Sequence, residues 1–399
     1  MKVLLLDNIS ESAKAAFVRA GFEVESLPTG LEPIQLGKRL DDVAVLGIRS
    51  KTPIRKAVLD ATHSLLALGA FCIGVDQIDR QECSRRGIAV FNDPHSNSRS
   101  VAELALGEII MLLRRTFTAS SEMHGGRWNK TAAGCHEIRG FVLGILGYGR
   151  IGSQLSDLAE AVGMRVIFSD VTEVLARGNA KRRSFEEVLQ QPDIVTLHVD
   201  GKPRNRNLFG AAEFRLMKMG ACFLNLSRGF VVDHDALAAN IRSGRLAGAA
   251  VDVFPHEPES RSSFSSPLQN LPNVILTPHI GGSTEEAQQN IGQFVSSRLI
   301  DYVQTGNSAL SVNLPHCQLE HFPDSHRLTH IHQNVPGILL AVNEVLAKRG
   351  INIERQVLDT RGDLGYAIYE INQTCDEALI RELGQIPHTI RVRVTPGFR

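Results

Sequence analysis

The 399-residue chain balances 43 lysines and arginines against 43 aspartates and glutamates, which excludes a global basic field for nucleic acid and an acidic solvating tail. Its apolar runs fall short of the ~20 residues that a membrane-spanning helix needs, and Met1 leads directly into an apolar strand rather than a signal peptide. The six cysteines, at 72, 83, 135, 222, 317 and 375, form no C-x-x-C pair and no zinc spacing, so reduced thiols in a cytoplasmic protein are expected, and no metal.

Residues 1–95 alternate strand and helix: strands at 2–7, 22–26, 43–48, 65–68 and 87–91, helices at 11–20 and 54–61. Arg49-Ser50-Lys51-Thr52 gathers two cations and two hydroxyls at a strand C-terminus, where open α/β sheets bind ligands. Ser100 with Glu103 reads as a capping box opening one long, deeply buried helix from 101 to about 123. Trp128, the sole tryptophan, follows in an exposed-looking arm and suits either plain packing or a subunit contact.

An unbroken apolar run, Val142 to Leu146, predicts a strand buried on both faces. Gly147-Tyr148-Gly149-Arg150-Ile151-Gly152 follows at once with the spacing G-x-G-x-x-G, and apolar residues then recur with helical period as far as Val162. A second strand from Arg165 ends at Asp170. In that context the glycines make a tight turn, let a pyrophosphate approach the backbone and pack helix on strand, while the acid accepts from the ribose hydroxyls. NAD is therefore the expected cofactor, because the charge of Asp170 repels a 2′-phosphate and no basic residue is expected near Val171-Thr172 to override it.

Further strands at 193–198, 220–225, 246–252 and 273–277 deliver three polar segments at their ends: Asn225 to Gly229, Asp252 to Pro258 and Thr277 to Gly282. Arg228, Glu257 and His279 can therefore meet at one crevice. A guanidinium there grips a carboxylate through paired hydrogen bonds, an imidazole takes a hydroxyl proton as hydride leaves, and a carboxylate orients and charges the imidazole. A helix over 285–304 returns the chain to its first domain. Residues 306–326 read as a linker. Beyond them the order β-α-β-β-α-β over 327–399 predicts a ferredoxin-like domain.

The expected fold class is α/β: two doubly wound domains of flavodoxin or Rossmann type, a discontinuous first (1–95 and 283–305) and a dinucleotide domain (96–282), with the ferredoxin-like domain after them. Residues 71–79, 97–104, 128–134, 249–258 and 275–286 carry a specific resemblance to the D-isomer-specific 2-hydroxyacid dehydrogenases, in the form with a C-terminal ACT domain. That resemblance implies NAD-dependent oxidation of 3-phospho-D-glycerate to 3-phosphooxypyruvate, the first step of serine synthesis. It assigns catalysis to Arg228, Glu257 and His279, with the histidine as proton donor and acceptor. Cofactor contacts fall on Gly147, Gly149, Arg150, Ile151, Gly152, Asp170, Leu226, Ser227, Arg228, Asp252, His279, Ile280, Gly281 and Gly282. It implies a substrate-phosphate site at Arg49, Ser50 and Lys51, with lysine standing where arginine is usual. It also implies a serine effector site at His332, Asn334 and Asn352 at a subunit interface, in a homotetramer without nucleic-acid or membrane partners. The alternatives are a dehydrogenase for another D-2-hydroxy acid, such as 2-hydroxyglutarate or glycerate, and a non-catalytic NADH-sensing regulator.

Overall fold

The computed structural model describes residues 1–258, 263–320 and 326–395. They divide into two compact units, one of residues 1–94 and 288–399, the other of residues 95–287.

The first unit opens with β1 (Lys2–Leu5), α1 (Glu11–Arg19), β2 (Glu23–Ser26), α2 (Pro33–Arg39), β3 (Val43–Ile48), α3 (Lys56–Leu59), β4 (Ala67–Ala70), α4 (Arg80–Arg85) and β5 (Ala89–Asn92). The strands pair in parallel in the order β2-β1-β3-β4-β5, the flavodoxin-like arrangement. Every residue of β3, β4 and β5 is buried, which is why these strands read as unbroken apolar runs. Two short helices escape the sequence reading. In α4 the signal was present: Asp79 caps the helix by accepting from the Glu82 N–H at 3.0 Å.

The second unit begins with α5 (Ser98–Leu113) and α6 (Thr116–His124). The single helix expected over 101–123 is therefore two. Arg115, in the left-handed region at φ 51°, breaks the path between them, and nothing in Arg114-Arg115-Thr116 announces a break. Nor is Ser100 the cap. The helix starts after Asn97, the Ser100 hydroxyl pairs with that of Thr284 at 2.9 Å, and Glu103 accepts from Arg99. Burial is confined to α5; α6 buries no residue.

The Gly-rich stretch folds as β6 (Val142–Leu146) running into α7 (Arg150–Ala161), then β7 (Arg165–Ser169). After β8 (Lys181–Arg182), α8 (Phe185–Gln190), β9 (Ile194–Leu197), α9 (Ala211–Leu216), β10 (Ala221–Asn225), α10 (His234–Arg242), β11 (Leu246–Val251) and β12 (Val274–Leu276), the unit holds a seven-stranded parallel sheet, β12-β11-β10-β9-β6-β7-β8. Strand order reverses about β6, so the β6–α7 turn lies at the switch point where such sheets take ligands.

The chain re-enters the first unit along α11 (Glu285–Thr305). Residues 306–320 are not a free tether: Val312 N–H donates to the Val90 carbonyl at 2.8 Å, and the Asn313 side chain accepts from Val90 N–H and donates to the Ile88 carbonyl. Residues 321–325 of the expected linker, like 396–399 of the terminal domain, lie outside the described residues. The terminal elements are β13 (His326–Gln333), α12 (Ile338–Lys348), β14 (Ile353–Arg361), β15 (Leu364–Ile371), α13 (Glu377–Gly384) and β16 (Thr389–Val394), in an antiparallel sheet ordered β14-β15-β13-β16. That is the ferredoxin-like plan. Its sheet shares a core with α1, α11 and the first sheet, with Tyr366 and Ile368 packed among Phe17, Leu299 and Tyr302. Arg327, 1 % exposed, ties β13 to the Thr305 carbonyl at 2.9 Å and to the Glu370 carboxylate at 2.5 Å.

Candidate active site

The dinucleotide cradle follows from its glycines. Gly147 has φ 90°, and a Cβ there would stand 2.5 Å from the His198 carbonyl oxygen. A Cβ on Gly149 would meet nothing within 4 Å, so the backbone at the start of α7 faces open space. A pyrophosphate fits that cradle against the first free N–H groups of the helix. Arg150 is exposed and Ile151 half-buried at its mouth, while Gly152 packs under Gly147 too closely for any side chain.

Asp170 follows β7 and is aimed by its neighbours. One oxygen accepts from Tyr148 N–H at 2.7 Å; the other accepts from the N–H and the hydroxyl of Thr172, both at 2.8 Å. Burial alone would raise its pKa, but the Thr172 and Tyr148 hydrogen bonds and nearby Arg182 bring it below the usual carboxylate value, so it is held ionised. The structure corrects one expectation here. Arg182 is adjacent to this turn in space and donates to the carbonyls of Asp170 and Thr172, both at 3.0 Å. Its separation along the chain hid it, and Thr172 was missed for want of any motif.

On the opposite side of the switch point three strand ends converge. After β10, Asn225 organises the next residues: its oxygen accepts from the N–H and hydroxyl of Ser227, and its amide donates to the Arg228 carbonyl at 3.1 Å. Leu226 and Ser227 are buried; Arg228 is half-buried. Gly229 lies against the Phe254–Pro255 backbone where no Cβ could stand, which brings Arg228 beside the segment carrying Glu257. After β11, Asp252 is 2 % exposed and clamps the third segment: its oxygens accept from Thr277 hydroxyl (2.6 Å), Ile280 N–H (2.8 Å) and Gly281 N–H (2.8 Å). Gly281 passes so close that a Cβ would lie 2.9 Å from Asp252 Oδ2. Gly282 packs on Asn97, and Ile280 is 43 % exposed.

His279 sits in that clamped turn with φ 56°, a left-handed conformation uncommon outside glycine but more accessible to histidine than to most side chains. Its Nδ1–H donates to Glu257 Oε2 at 2.7 Å, and the other Glu257 oxygen accepts from Phe254 N–H at 3.0 Å. The hydrogen bond to Glu257 raises the His279 pKa above its ordinary value against the opposing effect of burial. Burial pulls Glu257 upward, but His279, Phe254 and Arg228 together leave it below the carboxylate norm. With Nδ1 committed, Nε2 is the nitrogen able to exchange a proton. Arg228, Glu257 and His279 are thus one electrostatic cluster.

In the first unit Arg49, Ser50 and Lys51 form the loop after β3, Arg49 half-buried and the other two exposed. On the terminal sheet the three expected effector residues do not meet within one chain. His332 pairs with Gly365 and Asn334 follows at that end, whereas Ile353 pairs with Ile371 and Asn352 accepts from Asn372 N–H at the other. With β15 of eight residues between them, Asn334 and Asn352 stand roughly 25 Å apart at ~3.4 Å per residue. His332 is 1 % exposed, its Nδ1 bound to the Gln333 carbonyl and its Nε2 without a hydrogen-bond partner.

The switch-point cradle and the Arg–Glu–His cluster define an NAD-binding dehydrogenase, and residues 106–281 match the NAD-binding domain of the D-isomer specific 2-hydroxyacid dehydrogenases. Residues 328–391 match an ACT domain of the acetohydroxyacid synthase small-subunit kind. D-3-phosphoglycerate dehydrogenase of Dictyostelium discoideum is 46% identical over 99% of this chain and 97% of its own. The enzyme of the same name from Escherichia coli K12 is 44% identical over the same shares. The chain superposes on NAD-dependent formate dehydrogenase of Staphylococcus aureus, solved with NAD, with a TM-score of 0.65 at 25% identity, over 76% of this chain and 95% of that one. The chain belongs to the D-3-phosphoglycerate dehydrogenase family.

Proposed function

We propose that the protein oxidises 3-phospho-D-glycerate to 3-phosphooxypyruvate, opening serine synthesis. The observation that carries this reading is the His279–Glu257 hydrogen bond beside Arg228, in a chain similar along its whole length to enzymes named for that substrate. NAD, which the Gly147–Gly152 cradle and Asp170 would hold, would supply the acceptor for the hydride from C2. Arg228 grips the carboxylate and fixes C2 for transfer. His279 Nε2 takes the C2 hydroxyl proton as the carbonyl forms and returns it in the reverse direction, and Glu257 stabilises the imidazolium. The turn clamped by Asp252 keeps His279 in place, and Asp170 binds the adenosine ribose. Arg49, Ser50 and Lys51 bind the substrate phosphate.

Serine is the proposed effector. The separation of Asn334 from Asn352 favours a site completed by two copies, one supplying His332 and Asn334 and the other Asn352. A homotetramer also suits the exposed α6 arm, where Phe117, Met123 and Trp128 are 54%, 52% and 80% exposed; that exposure leaves Trp128 no packing role within the chain. No helix among the described residues is long and apolar enough to cross a membrane, and six cysteines with neither a C-x-x-C pair nor a zinc spacing suit the cytoplasm. Initial rates with 3-phospho-D-glycerate and NAD, with and without serine, test the whole reading. Turnover that prefers D-2-hydroxyglutarate or D-glycerate overturns the substrate. Unchanged serine inhibition in Asn334→Ala and Asn352→Ala overturns the effector site.

A further inference from the structure

The phosphate loop is tied down by a residue outside it. Asp7, just after β1, has φ 63° and is followed by Asn8 at φ 55°, two consecutive left-handed residues that aspartate and asparagine tolerate better than most. This kink sets one carboxylate oxygen, Oδ2, against both ends of the neighbouring strand's loop. It accepts from Arg49 N–H at 3.0 Å and from the Thr52 hydroxyl at 2.8 Å. Thr52 is 2 % exposed. Gly30 closes over the pair, where a Cβ would stand 2.6 Å from Thr52 Oγ1 and 2.9 Å from Asp7 Oδ1. Gln77 holds the loop from the other side, its amide donating to the Arg49 carbonyl at 3.1 Å. Among the described residues no carboxylate forms an ion pair with Arg49 or Lys51. Asp7 therefore immobilises the loop's backbone and leaves both cationic side chains available to an anion.

We infer that Asp7 is the positioning residue of the phosphate site, fixing Arg49, Ser50 and Lys51 in advance for a phosphomonoester. The inference rests on the reading that this loop binds the substrate phosphate. Pinning the loop beforehand spares the ordering cost at binding, so the effect belongs in KM. Both donors are neutral, so an amide oxygen at position 7 can accept from them while a methyl cannot.

The test compares steady-state kinetics of the full-length enzyme with 3-phospho-D-glycerate and NAD. Asp7→Ala is expected to raise KM for the phosphorylated substrate about tenfold, with kcat within threefold and NADH affinity unchanged. Asp7→Asn is expected to restore KM to within threefold of the parent. Thr52→Val, which removes one of the two donors without opening the core, gives an intermediate rise and serves if Asp7→Ala fails to fold. The control, Arg49→Gln with Lys51→Gln, tests the phosphate reading by itself. If the control leaves KM unchanged, that reading fails. If the control raises KM while Asp7→Ala or Thr52→Val does not, or if Asp7→Asn is as impaired as Asp7→Ala, the positioning role is overturned and the phosphate reading stands.

Discussion

His279 Nδ1 lies 2.7 Å from Glu257 Oε2, and this hydrogen bond is the largest influence lifting the imidazole pKa. In the proposed mechanism oxidation needs His279 neutral to accept the hydroxyl proton, so activity in that direction should fall as pH drops through its pKa. Glu257→Gln removes the charge and lowers that pKa. The acidic limb of the kcat/KM profile for oxidation should therefore move to lower pH, and the alkaline limb for reduction should move the same way. A profile unchanged in position would remove Glu257 from this role.

Replacing His279 itself deletes the proposed proton acceptor while leaving the cradle at Gly147–Gly152 intact. His279→Ala should cut kcat by about 10²–10⁴-fold, the range typical of a lost general base. NADH titrated by fluorescence should bind within a few-fold of the parent. Loss of NADH binding would make His279 structural instead.

Asp170 is ionised and aimed by Tyr148 and Thr172. Asp170→Ala should weaken NADH by about 10- to 100-fold, as expected for charged hydrogen bonds to a diol. NADPH should lose far less, because the carboxylate that repels the 2′-phosphate is gone and Arg182 remains beside the turn. Fluorescence titration with both cofactors reads the change, and equal losses for the two would refute the role given to this charge.

Glu108, on α5, is fully buried and neither carboxylate oxygen has a hydrogen-bond partner. Burial, with a smaller push from Asp252, raises its pKa to about 8. The folded state thus holds this proton more tightly than the unfolded chain. Stability is lost as pH rises from the ordinary carboxylate value to about 8, and levels off above. The whole effect is on the order of a few kcal/mol. Glu108→Gln, always neutral, should match the parent near pH 5 and show a higher Tm that grows to about pH 8. A pH-independent difference in Tm would sink the account.

Short-range patterns carried much of the fold. Val43–Ile48 and Val142–Leu146 are legible because strands buried on both faces must be continuously apolar, and Gly147–Gly152 because the turn, the phosphate approach and the helix start lie within six adjacent residues. Arg228, Glu257 and His279 could be paired from sequence because parallel strands send their C-terminal ends to one edge. The break at Arg115 was invisible, since arginine has no preference for the left-handed backbone it adopts there. Tertiary structure alone decided the contacts between distant segments: Asp7 with Arg49 and Thr52, Arg182 with the Asp170 turn, and the placement of Asn334 and Asn352 at opposite ends of one sheet. The sequence by itself determined the fold class and the gathering of Arg228, Glu257 and His279 at the strand ends, because both follow from local apolar period and from the common direction of parallel strands. Which distant side chain supports which loop depends on strand order and register, and those exist only once the sheets have closed.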